Sequence, residues 1–435
     1  MHQLLIERLG PIHHCEFTIR QYTVLTGYQA SGKSTIAKAV YFFRTLKGDI
    51  YQLMLRRQYK TLNIQQGYAQ IEDTEHQTLV SEFERHVRNK FLSTFGTSYC
   101  MDRDMRLCYR YQDGVEITIC LKESHDKLTP NYVWVEYSQQ IRNFLIMREN
   151  DAAQPRISAE LDTLFNDPFE TVYIPAGRSV LTILGSQFSY LYSTMDDTQK
   201  RLLDACTRDY LELVMRLRPQ FSNGLEGLLA GKQVSEIEQE LFLEALRLIR
   251  QVLKGRYVAS DGEERIWVAK DSYVKINFAS SGQQEIVWIL NLLFYYLVLQ
   301  KPVFFIIEEP ESNLFPASQK AVIELIALVV GAGNAVLLTT HSPYVLGEVN
   351  NLLYAGTVGK LANRQVSEIV SPSKWIDSSV CDARFVQNGE AKSCMDNELA
   401  QIDNALLDQI SHDINLEYDR LFEVEQAVEG DASCR

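Results

Sequence analysis

The chain has eight cysteines, and none forms a C-x-x-C pair. Neither a zinc knuckle nor a disulfide framework is therefore expected, and a reducing, cytoplasmic setting is the simplest reading. It also lacks an apolar run long enough for a membrane. The longest, Ile286–Leu299, is broken by Asn291 and falls short of the roughly 20 residues a span needs, so it reads as a buried core helix. Met1-His2-Gln3 leads straight into an apolar strand pattern, with no basic segment, apolar core and small-residue cleavage site, so no secretory leader is expected. Internal repeats, low-complexity segments and sustained heptads are missing too. Basic excess is absent: 43 Lys and Arg stand against 56 Asp and Glu, a net charge of −13. That argues against a protein that coats DNA, since phosphate binding needs clustered cations. Arg56-Arg57, Lys60 and Arg216–Arg218 remain candidates for a local basic patch, or for ordinary solvated helix surface.

What is present is ample core material, 46% hydrophobic residues over 435 positions, enough for two or three domain-sized units. Leu4–Arg20 reads as two short strands around Gly10-Pro11. Thr23–Thr26 is a short buried strand, followed by a glycine loop and a helix over Ser34–Leu46. Helical spacing recurs through Val80, Phe83, Val87 and Phe91. Arg106–Tyr111 and Val115–Leu121 flank Asp113-Gly114, a hairpin signal, and Tyr132–Tyr137 and Thr171–Ile174 are further strands. Two apolar stripes, Leu202-Cys206-Tyr210-Leu213-Leu217 and Ile237-Leu241-Ala245-Leu248-Val252, predict a helical lobe. A second hairpin is expected at Asp261-Gly262. The strands Val303–Ile307 and Ala335–Thr340 bracket a helix over Ala317–Val330. A possible hairpin and a helix over Asn397–Val424 close the chain.

Gly27-Tyr28-Gln29-Ala30-Ser31-Gly32-Lys33-Ser34 fits G-x-x-x-x-G-K-[ST] in full. The strand before it and the helix after it are the context a phosphate loop requires. Glycines let backbone N–H groups face a phosphate chain, and the helix start adds its positive end. Lys33 would neutralise β- and γ-phosphates, the Ser34 hydroxyl would ligate Mg²⁺, and Thr35 completes the loop. Phe304–Ile307 ends in Glu308-Glu309-Pro310, an apolar strand delivering two carboxylates to the same crevice. Glu308 would hold the Mg²⁺ shell and Glu309 would act as general base. Ser280-Ser281-Gly282-Gln283 opens the long apolar helix and is a second anion cradle. One nucleotide rarely needs two cradles, so protomers facing head to tail are expected to share them. Thr340-His341-Ser342-Pro343 places a histidine at a strand tip, within reach of a γ-phosphate or the attacking water. Ser280 precedes Glu308 by about 28 positions, and His341 follows Glu309 by about 32. It is the order of the four motifs that makes the set specific.

In that order the sequence resembles the ABC ATPase superfamily. The resemblance makes Gly27–Ser34 the Walker A loop, Ser280–Gln283 the signature loop and Phe304–Glu308 Walker B. It makes Ser312–Phe315 the D-loop and His341 the switch histidine. The wording Glu308–Pro316, with Tyr173-Ile174-Pro175-Ala176-Gly177-Arg178-Ser179 and Ser280–Glu285, looks like the SMC-like branch. Within that branch it is similar to OLD-type and related prokaryotic defence ATPases, with Septu and PARIS in the neighbourhood. Glu308 departs from the usual Walker B Asp, and Gln66 and Gln70 are both open as the Q-loop glutamine. The resemblance implies an α/β, P-loop nucleotide-binding domain with a mixed sheet. Its parts are residues 1–175, a helical insertion over 176–254, a second ATPase part over 255–364, and a short C-terminal extension over 365–435. It implies ATP and Mg²⁺ as ligands and a homodimer or higher homo-oligomer joined by ATP. OLD-type proteins often carry a nuclease in cis, but no Asp-x-Asp follows His341, so an effector such as a nuclease is expected on a separate protein. The first function implied is a sensor and scaffold of a bacterial anti-phage system. The alternative is an SMC-like DNA-repair or chromosome-maintenance ATPase. A transporter subunit is disfavoured because the usual Asp-Glu-Pro-Thr/Ser-Ala-Leu-Asp wording is absent.

Overall fold

The computed structural model describes residues 1–65, 78–123, 131–151, 153–180, 203–230, 235–260, 262–396, 398–403 and 413–424, with positions 182, 194–196 and 232. Gln66, Gln70, Leu202 and Asp261 lie outside the described residues.

An eleven-stranded mixed sheet organises the chain. Its strands are β1 (Gln3–Leu9), β2 (Ile12–Thr18), β3 (Tyr22–Gly27), β4 (Arg106–Gln112), β5 (Val115–Glu123), β6 (Asn131–Tyr137) and β7 (Glu170–Ile174), joined by four later ones. Three more, β8 (Arg256–Ser260), β9 (Glu263–Ala269) and β10 (Ser272–Lys275), form a separate antiparallel sheet. The later strands of the main sheet are β11 (Val303–Glu308), β12 (Ala335–Thr340), β13 (Cys381–Gln387) and β14 (Glu390–Ser393). β15 (Met395–Asp396) and β16 (Gln401–Ile402) make a small ladder. The main order is β6-β5-β4-β1-β2-β14-β13-β3-β12-β11-β7.

The two halves of the sheet follow from their sequences. β3, β11 and β12 are buried at every position, as strands covered on both faces must be, and they pair in parallel with β7 and β13. β1 and β4 alternate buried with more exposed residues and pair antiparallel. Cover comes from two cores. Phe305 and Ile307 face one, with the helices Glu236–Leu253, Ser281–Leu299 and Pro316–Gly331. Phe304 and Ile306 face the other, with the phosphate-loop helix Lys33–Gln65 and the helix Leu79–Phe95. Ser281–Leu299 is apolar around its whole circumference because it lies inside the first core. No helix among the described residues is long and apolar enough to cross a membrane.

Several expectations are corrected or extended. The phosphate-loop helix does not stop at Leu46 but runs to Gln65. The stretch expected as a C-terminal extension supplies β13, which pairs with β3 from Cys381↔Tyr22 to Val386↔Gly27 and so lies within the main sheet. Asp382 and Arg384 share one face of β13 and neutralise each other at 2.7 Å, which is how two charges are accommodated there. Helix is found over 413–424, while β16 occupies part of the stretch expected as one helix from Asn397; Asn397 itself lies outside the described residues. Ile237 is 81% exposed, because it sits in the first turn of its helix, whereas Ala245, Leu248 and Val252 further along reach the core. The hairpin expected near Gly262 gains a third strand, β10, which leads toward the Ser280 loop. Arg57 and Arg218 are engaged by Glu82, Glu149 and Glu264 rather than free for phosphates.

Candidate nucleotide site

Strand register brings the site together. Glu308 is level with Thr339, Thr339 with Leu25, and Thr340 with Thr26. The C-terminal ends of β3, β12 and β11 therefore open side by side, the place where parallel sheets bind ligands.

At the end of β3, Gly27 adopts φ +139°, and a Cβ there would lie 2.2 Å from the Val386 carbonyl oxygen of β13. Gly32, at φ +108°, would place a Cβ 2.4 Å from Ile12 Cδ1. Ala30 turns through φ +58° between them. The loop curls around its own lysine: Lys33 Nζ donates to the carbonyls of Gly27 (3.0 Å) and Tyr28 (2.7 Å) and to Ser31 Oγ (3.4 Å). Burial draws the Lys33 ammonium down to about 8, against the opposing pull of Glu309, Glu311 and Glu308. Ser34 is exposed and Thr35 half-buried at the start of the helix. A cavity of about 770 Å³ opens beside Thr35, with Leu9, Gly10, Phe95 and Tyr99 in its walls.

Glu308 is buried at the end of β11. Its Oε2 accepts the Ala176 N–H at 3.1 Å, and its Oε1 is buried without a hydrogen-bond partner. The buried Tyr173 hydroxyl lies against the same carboxylate. Buried polar oxygens are normally satisfied, so an acceptor left open at these strand ends fits a hydrated divalent cation. Glu309 follows with φ +44°, a strained backbone for a glutamate, held by its N–H to the Thr339 carbonyl at 3.0 Å. The bend turns the second carboxylate out of the core. Its Oε1 stands 3.4 Å from His341 Nε2, and Ser312 Oγ donates to its Oε2 at 3.2 Å. Contact with His341 is the first cause holding the Glu309 carboxyl below its usual range, so it stays an anion able to accept a proton.

At the head of the helix Ser281–Leu299, Ser280 and Gln283 form a reciprocal capping box. Ser280 and Ser281 are exposed. Gln283 spends its amide inside its own chain, accepting from Ser280 and donating to the Leu253 carbonyl at 2.8 Å, so it positions the loop. Gly282 packs on the following loop: a Cβ there would lie 2.6 Å from the Asn313 carbonyl oxygen. Among the described residues, no hydrogen bond joins Ser280–Gln283 to Gly27–Ser34.

Three residues quoted in the sequence motifs but given no role there prove central to the geometry. Glu311 is buried, and its Oε1 accepts the His341 N–H (2.8 Å) and the Thr340 hydroxyl (2.7 Å), fixing the strand tip; burial pushes its carboxyl up. Arg178 is fully buried and reaches the backbone of both Glu308 and Glu309, and Glu285 receives Arg178 in turn. The third acid of Glu-Glu-Pro-Glu was the available signal for the first of them.

The AAA ATPase domain family matches residues 1–346. No curated protein matches the chain. Among solved structures, the Smc head bound to the C-winged helix domain of ScpA is 13% identical, with 90% of this chain and 95% of that one covered and a TM-score of 0.41. The Smc head with an extended coiled coil bound to the C-terminal domain of ScpA, from Pyrococcus furiosus, is 13% identical over 95% and 100% of the two chains, with a TM-score of 0.36. The SMC head domain from Thermotoga maritima is 11% identical over 90% and 97%, with a TM-score of 0.35. With four-fifths of its length matched, and a phosphate loop, paired carboxylates and a histidine at adjoining strand ends, the chain belongs to the AAA ATPase domain family and is an ATPase.

Proposed function

We propose that the chain is an ABC-type, SMC-like ATPase that hydrolyses Mg·ATP between two copies of itself, as the sensor and scaffold subunit of a bacterial anti-phage system with a separate effector such as a nuclease. The observation that carries the shared site is the exposed Ser280–Ser281 helix start, built by its own capping box and seated on the D-loop through Gly282. An exposed helix start of this kind, with no hydrogen bond to its own chain's phosphate loop among the described residues, is an anion cradle available to another chain's γ-phosphate. The defence role rests on the wording of the motifs around Glu308–Pro316 and Tyr173–Ser179.

In this reading Lys33 leaves the Gly27 and Tyr28 carbonyls for the β- and γ-phosphates. Ser34 and Glu308 would hold the Mg²⁺ shell, and the cation would supply neutralisation of phosphate charge. Glu309 takes a proton from the attacking water, with His341 orienting the carboxylate and the γ-phosphate. The cavity beside Thr35 has room for a nucleoside.

The test uses cysteines introduced beside Ser31 and Ser281, in a Glu309→Gln background with the exposed Cys100 replaced by serine. An inter-chain cross-link that forms only with Mg·ATP is expected. No link under those conditions refutes the shared site. Co-purification with the product of a neighbouring gene, released by phage infection, is expected for the defence role. Hydrolysis stimulated by DNA, with no such partner, would point instead to repair or chromosome maintenance.

A further inference from the structure

Arg178 spans the gap between the two motifs that the proposed dimer would place at different nucleotides. Its side chain is wholly buried. Nη1 donates to the carbonyls of Pro175 (2.5 Å) and Glu308 (2.7 Å), and Nη2 donates to that of Glu309 (3.1 Å). On the opposite side, Nε donates to the Glu285 carbonyl at 3.0 Å. Glu285 answers with both oxygens: Oε2 accepts the Arg178 backbone N–H (3.0 Å) and Oε1 accepts that of Ser179 (3.1 Å). Thr182 closes the junction, its hydroxyl reaching the carbonyls of Arg178 (3.1 Å) and Gln284 (3.0 Å).

A guanidinium is a flat, rigid fork of five donors. Here the fork grips backbone at the double-carboxylate turn with one edge and the first turns of the Ser281–Leu299 helix with the other. Such a joint has little slack, so displacing one element displaces the other. The turn it holds is the strained one at Glu309, whose φ of +44° makes the carboxylate's aim sensitive to movement of its own carbonyl.

We propose that Arg178 and Glu285 form the strut that couples the two nucleotide sites of the dimer. A γ-phosphate from the partner, docking at Ser280–Ser281, moves the helix start. The strut carries that movement to the same protomer's Glu308–Glu309 turn. Each site then becomes competent only when the other is filled. Arg178 and Glu285 are positioning residues, and the inference rests on the shared-site reading above.

Two variants test it. Glu285→Gln leaves Arg178 in place but turns an amide NH₂ against a backbone N–H. Arg178→Lys keeps the charge and loses the fork. Hydrolysis is followed across ATP concentrations, alongside nucleotide affinity of the monomer and thermal melting. Monomer affinity is expected to stay within about threefold, kcat to fall about tenfold or more, and the Hill coefficient to drop from between 1 and 2 toward 1. A part that only packs the core would lower melting temperature and the active fraction while leaving the Hill coefficient unchanged. Wild-type kcat and Hill coefficient in a folded variant overturn the strut, as does a wild-type Hill coefficient of 1 in a chain that does dimerise with ATP. If Arg178→Lys does not fold, Glu285→Gln decides. A wild-type chain that never dimerises with ATP instead refutes the shared site itself.

Discussion

Replacing Gly282 with alanine isolates the seat of the second phosphate cradle from the first. The added Cβ would lie 2.6 Å from the Asn313 carbonyl oxygen and 3.4 Å from Leu314 Cδ2. The closer atom is backbone, so it cannot swing aside as a side-chain tip would. Reaching an ordinary C···O contact of about 3.3 Å requires the helix start and the loop to part by about 0.7 Å. Overpacking of that kind costs about 1–3 kcal/mol. Alanine in a helix recovers about 0.5–1 kcal/mol relative to glycine. The net loss of stability is about 0–2.5 kcal/mol, a melting shift of a few degrees. Catalysis is far more sensitive to placement, since a displacement near 1 Å costs about 100-fold. Gly282→Ala is therefore expected to fold and to bind a fluorescent ATP analogue through Lys33 as wild type does. Its phosphate release should fall about 100-fold, with fewer cross-linked dimers. Turnover within about threefold of wild type, in a protein whose melting curve is also unchanged, would refute the reasoning.

Glu309→Gln keeps the shape of the side chain and removes the base, so hydrolysis should fall about 10²–10⁴-fold while ATP is retained on the protein; rapid filtration with labelled ATP would show the trapping. Lys33→Ala and Ser280→Arg should each be inactive alone; in an equal mixture half of randomly formed dimers are mixed and each has one intact site, so independent sites would regain about a quarter of wild-type turnover, whereas sites coupled through Arg178 and Glu285 should regain far less. Rescue to about a quarter, with mixed dimers verified by mass, supports the shared site and counts against the strut. Because the Lys33 ammonium titrates near 8, phosphate binding above that pH must return a proton to it, so ATP affinity should fall by up to about tenfold per pH unit and calorimetry in two buffers should show proton uptake. The same depression has a stability sign: the unfolded chain binds the extra proton between about 8 and 10.5, so Lys33's cost to folding is present below 8 and is relieved as pH rises through that window.

Much of the site was legible because it is local. Gly27–Ser34 carries its own strand, turn and helix start, and β11 and β12 are short apolar runs with the reactive groups at their tips. Polar residues that act from inside the fold were harder to read. Arg178, Glu285 and Glu311 look like solvated charges until the partners that allow their burial are known, and those partners are backbone groups at other strand and helix ends. Gln283 read as a phosphate ligand, but its amide is consumed by Ser280 and Leu253. The possible hairpin expected in the C-terminal part is the antiparallel pair β13 and β14, but its place inside the main sheet is hidden in the sequence, because Asp382 and Arg384 interrupt the apolar pattern of β13 and pair with each other there.

That strand has a consequence for synthesis. Gly27 is shaped by Val386, and Arg20 donates to the Ser379 carbonyl across 359 positions of sequence. A nascent chain can display its entire phosphate-loop sequence and still lack the neighbour against which the loop is moulded. Contacts this distant in sequence form late and slowly. Nucleotide cannot therefore guide the earliest folding of the segment that binds it. The ribosome must first release residues beyond 386, and until then β2 and β3 present open edges for which chaperones and other nascent chains compete.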